Sequence, residues 1–246
     1  MANPVALITG AAQRLGACTA QTLHDRGWNL VIHYRSRKQQ ALKLADKLNE
    51  ARSGSVVCVQ GDLAQNGDIA RIAQEACQPW GRLDGLVNNA SVFYPTPTAE
   101  ATEEDWQQIM GANLKAPFFL VQHCLPALRE TGGGVVNLID IYSEKPLQDH
   151  PLYCASKAGL AALTRSWAKD LAPEVRVNGV SPGAILWPEG DKAVDPEHQK
   201  TILDKTPLAR IGHPDDIAGA IAYLLCDAPF ITGQILSVDG GRSLNM

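Results

Sequence analysis

Tyr153 and Lys157 are the first residues in the chain whose types and spacing invite chemistry, set four apart in Tyr153-Cys154-Ala155-Ser156-Lys157. They open a segment whose apolar positions recur with helical period, so the spacing puts the phenol and the ammonium on one helix face. A phenol ordinarily keeps its proton to about pH 10. A neighbouring cation favours the phenolate and brings that proton towards acid/base use. The spacing alone is a weak signal, because Tyr34 and Lys38 repeat it on a strand-to-loop segment where no shared face follows.

A second constellation lies near the start. Thr9-Gly10-Ala11-Ala12-Gln13-Arg14-Leu15-Gly16 follows a short apolar run and leads into a helical pattern. Gly10 and Gly16 let backbone amides approach a pyrophosphate at the positive end of that helix. A strict G-x-G-x-x-G is absent, and a tight turn without a ligand would use the same glycines. The next apolar run ends in His33-Tyr34-Arg35-Ser36-Arg37-Lys38. An NAD-binding βαβ unit usually carries an acidic residue there for the ribose 2′-hydroxyl. Basic side chains stand there instead, which suits a 2′-phosphate and therefore NADPH/NADP+ over NAD; a solvated basic loop is the alternative. Asp62, past the third run, suits either an adenine amino group or the cap of the next helix.

The elements that must hold these groups are legible as alternation. Candidate strands are Val5 to Ile8, Leu30 to His33, Val56 to Gln60, Gly85 to Asn88, Val135 to Ile139, Val175 to Val180 and Gln234 to Val238. Most are apolar on consecutive positions, as in parallel strands covered on both faces. Between them run helical patterns from Leu15 to Arg26, from Gln39 to Ala51, and from a capping box at Thr102-Glu103-Glu104-Asp105 to about Leu128. Sustained alternation without a composition break predicts an α/β fold, one doubly wound domain over 1–246 with a seven-stranded parallel sheet. Residues 183–213, rich in Pro and Gly and following a strand end, are expected to be an irregular substrate lid within it.

Taken in order along nearly the whole chain, Thr9-Gly10 with Gly16, Asn88-Asn89-Ala90, Asn113, Tyr153 with Lys157, Pro182-Gly183 and Val238-Asp239-Gly240-Gly241 resemble the short-chain dehydrogenase/reductase family. The resemblance implies a Rossmann-type domain, with Tyr153 as proton donor, Lys157 binding the nicotinamide ribose and tuning Tyr153, and Asn113 supporting a water relay. It implies a cofactor set of Gly10, Arg14, Leu15, Gly16, Tyr34, Arg35, Ser36, Asp62, Leu63, Asn89, Ala90, Ser91, Pro182 and Gly183, beside Tyr153 and Lys157. It also implies a homotetramer, with Cys124 and Trp167 on the pairing helices; packing within one chain accounts for those two residues equally well.

Two departures narrow the resemblance. Arg14 stands where most of the family have a second glycine, and Asp140 stands where most have a serine. Both occur together in pteridine reductases, and Asn88 to Pro97 is similar to that group's segment. A carboxylate would repel a developing alkoxide, which argues against ordinary carbonyl reduction. It would also oppose phenolate formation at Tyr153 and hold that residue as an acid, which suits a ring nitrogen. Arg14 offers a planar fork for phosphate and heterocycle, and Phe93 offers a stacking face, unless Phe93 belongs to the core. Arg14, Ser91, Phe93, Asp140, Tyr153, Leu186 and Trp187 form the expected substrate set, for a pterin or folate. A dihydromonapterin or dihydrofolate reductase, a 3-ketoacyl thioester reductase and a non-catalytic NADP(H)-sensing protein are the rival readings. Arg242 is expected as an exposed tail residue, with reach into an active site, its own or a neighbour's, as the alternative.

Composition trims the remaining classes. Among 246 residues, 21 Gly and 15 Pro fall well below a low-complexity share. A net charge of -4 gives no electrostatic case for nucleic acid or an anionic membrane. The six cysteines show neither C-x-x-C nor metal-like pairing with histidine, so no metal site and no disulfide framework is expected. The Met1-Ala2-Asn3-Pro4 start carries no signal-like segment, and a soluble cytoplasmic protein is the expectation.

Overall fold

Val5–Ile8 has four consecutive apolar residues, and a strand can bury all four only if both faces of its sheet are covered. The computed structural model, which describes residues 2–186 and 195–246, has that arrangement. Strands β1 (Val5–Ile8), β2 (Asn29–Tyr34), β3 (Val56–Gln60), β4 (Gly85–Asn88), β5 (Gly134–Leu138), β6 (Arg176–Pro182) and β7 (Ile235–Val238) form one parallel seven-stranded sheet in the order β3-β2-β1-β4-β5-β6-β7. Helices α1 (Arg14–Asp25), α2 (Lys38–Ala51), α3 (Asn66–Cys77), α4 (Glu103–Met110), α5 (Ala116–Thr131), α6 (Pro151–Asp170), α7 (Pro196–Asp204) and α8 (Pro214–Ala222) accompany it.

Alternate residues of each strand feed two separate cores. Val5, Leu7, Leu86 and Val135 pack with Ile72, Leu120 and Leu160 of α3, α5 and α6. Ala6, Ile8, Val87 and Val136 pack with Leu23, Leu48 and Ile217 of α1, α2 and α8. Burying a Leu or Ile side chain contributes about 1.5–3 kcal/mol, so these layers fix the sheet order that positions every loop at its C-terminal edge. The chain steps outward from β1 to β3 and then returns to lay β4 beside β1, with Ile8 opposite Val87. Ligands of open α/β sheets bind at such a reversal, outside the strand ends.

The long helix predicted from Thr102 departs from expectation in its middle. Its capping box forms: Thr102 Oγ1 accepts from the Asp105 amide at 3.1 Å, and the Asp105 carboxylate accepts from the Thr102 amide at 2.9 Å. Gly111–Lys115 then adopts a π-helical turn, in which the Ala116 amide donates to the carbonyl of Gly111, five residues back. Pro117 has no N–H to offer the carbonyl four residues back, which belongs to Asn113. Single π turns inside α-helices recur at functional sites.

One expectation about the segment after β6 is corrected. Residues Pro196–Asp204, placed in an irregular segment by the sequence reading, are helical. Trp187 lies outside the described residues. Cys124 and Trp167 are buried within the single chain by its own core. All six cysteines are free, and no cluster of metal-ligating side chains occurs among the described residues. No helix among them is long and apolar enough to cross a membrane.

Candidate active site

A cleft of about 330 Å³ opens where β1 and β4 end. Its walls bring together Gly10, Arg14, Leu15, Gly16, Tyr34, Arg35, Ser36, Asp62, Leu63, Asn89, Ala90 and Ser91, every sequence-identified cofactor residue up to that point in the chain. Arg37 joins them, and Lys38 does not: it opens α2 instead. Arg14, Arg35 and Arg37 are exposed, and none forms an ion pair among the described residues. Unpaired guanidinium groups at a concave surface suit phosphate, which they grip through paired N–H donors.

The floor of this cleft is built from the main chain. Gly10 has φ 63°, and a Cβ there would lie 3.0 Å from the Cα of Ala90. At Gly16 a Cβ would meet Asn89 Nδ2 at 2.6 Å and Ala11 Cα at 2.8 Å, so glycine is needed for helix α1 to sit against β4. Thr9 ties the ends of β1 and β4 together. Its hydroxyl oxygen accepts from the amides of Asn89 and Ala90, each at 2.9 Å. Asn89 Nδ2 returns the tie, donating to the carbonyls of Thr9 at 2.7 Å and Gly10 at 3.2 Å. Asp62 takes the amide of Ala64 at 3.0 Å rather than capping α3, and its flank remains on the cleft wall. Arg14 has φ 52°, the left-handed region where a glycine would be the ordinary occupant.

Beside the cleft stands the catalytic candidate group. Helix α6 begins at Pro151 and presents Tyr153 and Lys157 on one face, both nearly inaccessible to solvent. The Tyr153 hydroxyl donates to Asp140 Oδ2 at 2.7 Å, and Asp140 Oδ1 accepts from the Tyr142 amide at 2.9 Å. Lys157 Nζ donates to the carbonyl of Leu138 at 2.8 Å and lies 5.7 Å from the Tyr153 ring centre. Burial pushes Lys157 down to about 8, with Asp140 pulling the other way.

The two acids move together. Burial holds the Tyr153 phenol well above its ordinary range, and the Asp140 charge and hydrogen bond add to that. Burial likewise raises Asp140, opposed by the Tyr142 amide, the Tyr153 hydroxyl, Lys157 and Arg242. The expectation that Lys157 draws Tyr153 towards phenolate yields to the second expectation, that Asp140 keeps it protonated. A phenolate beside a carboxylate would place two anions in one enclosed site.

Asn113 spends its amide on scaffolding. It donates from Nδ2 to Val92 O at 2.9 Å and to Ser156 Oγ at 3.1 Å, while Oδ1 accepts from Val92 N at 2.7 Å and Ser91 Oγ at 3.3 Å. The π turn thereby pins the segment that carries Phe93. Phe93 is 52% exposed, which ends the core reading; its ring stacks on His150 at 4.7 Å and meets Tyr153 edge-on at 4.7 Å. Leu186 is partly exposed beyond β6. Pro182 ends β6, and at Gly183 a Cβ would lie 2.7 Å from Asp239 Cβ, so that glycine admits the strand that follows.

Arg242 is a correction. It is buried rather than an exposed tail residue, it donates to the Tyr142 hydroxyl at 3.3 Å, and its Nε has no partner among the described residues. The sequence carried no signal for this, because the approach depends on Asp239 folding the C-terminal turn, where it accepts from the amides of Gly241 and Ser243.

A family model described as enoyl-(acyl carrier protein) reductase matches residues 10–243. The chain belongs to the short-chain dehydrogenase/reductase family. Pteridine reductase 1 of Leishmania tarentolae is 34% identical over 98% of this chain and 96% of its own length. The 3-oxoacyl-[acyl-carrier-protein] reductase FabG of Staphylococcus aureus (strain Mu50) is 33% identical over 96% of both chains. An uncharacterised oxidoreductase of Methylorubrum extorquens is 34% identical, again over 96% of both. The chain is thus an oxidoreductase of this family, whose reductases use NAD(P)H. The cleft fits such a dinucleotide: glycines that a Cβ would obstruct, a helix N-terminus, and basic side chains at the end of β2 with no acidic partner among the described residues.

Proposed function

We propose that this chain is an NADPH-dependent pteridine reductase, acting on oxidised or dihydro pterins, with folate and dihydrofolate among its substrates. The observation that carries the reading is the 2.7 Å contact between Asp140 and Tyr153. A ketone reductase needs a donor at that position free to meet the alkoxide, whereas Asp140 is committed to Tyr153 and repels that charge when ionised. A pterin ring nitrogen asks for a proton and develops no oxyanion, so a carboxyl group paired with Tyr153 becomes useful.

Arg35, Ser36 and Arg37 would hold the 2′-phosphate, the Gly10 to Gly16 turn the pyrophosphate, and Lys157 the nicotinamide ribose. Bound NADPH would supply a hydride to a ring carbon. Tyr153 gives its hydroxyl proton to the neighbouring ring nitrogen, and protonated Asp140, now the donor in their hydrogen bond, passes its own proton to the Tyr153 oxygen. Tyr153 stays neutral throughout, and the negative charge ends on Asp140, near the cations of Lys157 and Arg242. The exposed face of Phe93 stacks on the heterocycle, with Arg14 and Ser91 at its rim and Leu186 beyond the end of β6. The same chemistry serves a dihydromonapterin or dihydrofolate reductase, which differs only in the pterin side chain.

Similarity to FabG enzymes makes 3-oxoacyl thioester reduction the reading to test against. Loss of NADPH absorbance would be followed in parallel with biopterin, dihydrobiopterin, dihydrofolate and an acetoacetyl thioester, and repeated with NADH. Turnover of the pterins is expected; turnover of the thioester alone would sink the proposal. No turnover of any of them with intact NADPH binding would favour a sensor. We further expect a cytoplasmic homotetramer, since Trp106 of α4 and Phe118 of α5 expose large apolar surface along one shared groove. Sedimentation velocity would read the state directly.

A further inference from the structure

His33 lies two residues before Arg35, near the end of β2. In β2 it is 2% exposed, and both of its ring nitrogens are engaged. Nδ1 lies 3.1 Å from the amide of Gly10, which can only donate, so Nδ1 is the acceptor. Nε2 lies 3.1 Å from the carbonyl oxygen of Gly61, which can only accept, so Nε2 carries the hydrogen. The two partners leave one assignment, the neutral Nε2–H tautomer.

The backbone of the same residue makes a further tie. The His33 carbonyl accepts from the Ala11 amide at 2.9 Å, and Gly61 donates its own amide to the carbonyl of Tyr34 at 3.1 Å. His33 therefore grips the turn after β1 at two successive amides and the end of β3 at a third point. Gly10, at φ 63°, is itself one of the gripped residues, Arg35 lies two residues past His33, and Asp62 directly follows Gly61.

We propose that His33 is a positioning residue for the dinucleotide, holding the Gly10 turn in one frame with the strand ends that carry Arg35 and Asp62. This rests on the nucleotide cleft proposed above and is independent of the pterin. An imidazolium would set N–H against the Gly10 N–H and break the frame. Burial opposes that charge and pushes His33 down to about 4, against the pull of the Gly61 carbonyl, Asp68 and Asp62 and with the help of Arg71. The frame is accordingly intact throughout the neutral range.

Long-range 15N spectra of the imidazoles in the full chain at neutral pH read the tautomer without any ligand, His33 being assigned by its absence in His33→Asn. An unprotonated Nδ1 with a protonated Nε2 is expected, and the opposite tautomer or an imidazolium would overturn the role. NADPH binding, followed by fluorescence, then compares three variants. His33→Leu leaves the Gly10 amide without an acceptor and should raise Kd about tenfold, with kcat at saturating NADPH within about twofold of wild type. His33→Asn keeps an acceptor near Nδ1 and should restore Kd to within about threefold, whereas His33→Gln reaches towards Gly61 and should bind less tightly than Asn. An unchanged Kd in the Leu variant, a loss confined to kcat, or tighter binding by Gln than by Asn would each overturn the proposal. If the Leu variant does not fold, the Asn and Gln pair decides. Failure of the wild-type chain to bind NADPH or NADH would overturn the nucleotide reading and this role together; binding by wild type with no loss in the variants overturns this role alone.

Discussion

The dinucleotide cleft and the Asp140–Tyr153 pair lie side by side and are made in opposite ways. The cleft is main chain, glycine and exposed guanidinium: Thr9, Asn89 and the glycines close its floor, and Arg14, Arg35 and Arg37 stand open to water. The pair is enclosed and titratable, with its protons held by burial and by one another. The first construction recognises a shape common to many reactions. On the proposed function the second selects the reaction, because a single carboxyl group changes which substrate atom can be served. Similar identity to a pteridine reductase and to FabG enzymes follows from this division, since most of the chain serves the shared fold and cleft.

Variants that fall on one side should leave the other intact. The largest effect is expected from Tyr153→Phe, which removes the transferable proton: kcat with biopterin should fall by about a hundredfold or more while NADPH affinity holds, read by stopped flow and by binding titration. Unimpaired turnover would erase the distinction between the two regions. Asp140→Asn comes next. It keeps the side-chain shape but cannot resupply the proton, so kcat should fall about tenfold to a hundredfold without a change in NADPH Kd.

Arg35→Ala tests the cleft alone. Losing a charged contact to a 2′-phosphate should raise the NADPH Kd about tenfold or more and leave NADH nearly unaffected. An equal loss for both nucleotides would show that the basic loop does not read phosphate. The smallest effect belongs to Arg242→Gln, a shift of pH profile. Turnover depends on a proton held by the pair, so the rate is lost as pH rises through the pair's apparent pKa. The Arg242 cation helps hold Asp140 down. Its removal should therefore move the falling limb to higher pH, and a limb displaced downward would contradict the relay.

Legibility in the sequence divides along the same line. Strand positions were readable to within a residue or two, because burial on both faces leaves consecutive apolar residues that nothing else explains. The cleft residues were readable because a glycine turn and a basic strand end are local in sequence. Tyr153 was found by its spacing from Lys157 and Asp140 through the resemblance; their hydrogen bond depends on β5 and α6 meeting, which no local pattern records. The π turn was missed since Gly111–Lys115 has a helical pattern and its one local cue is Pro117. Thr9, His33 and Arg242 act through partners up to a hundred positions away, as Arg242 does with Tyr142. Such roles arise from the topology, and single residue types do not announce them.

Arg14 has a consequence of a different kind. A non-glycine residue held at φ 52° costs about 1–2 kcal/mol against the same residue in an ordinary conformation, and here that energy is stored at the lip of the cleft. The chain carries strain at this position while lacking the glycine that would relax it. Arg14→Gly should therefore give a more heat-resistant fold with a weaker grip on the proposed ligands, so that part of the fold's stability is set at its binding site.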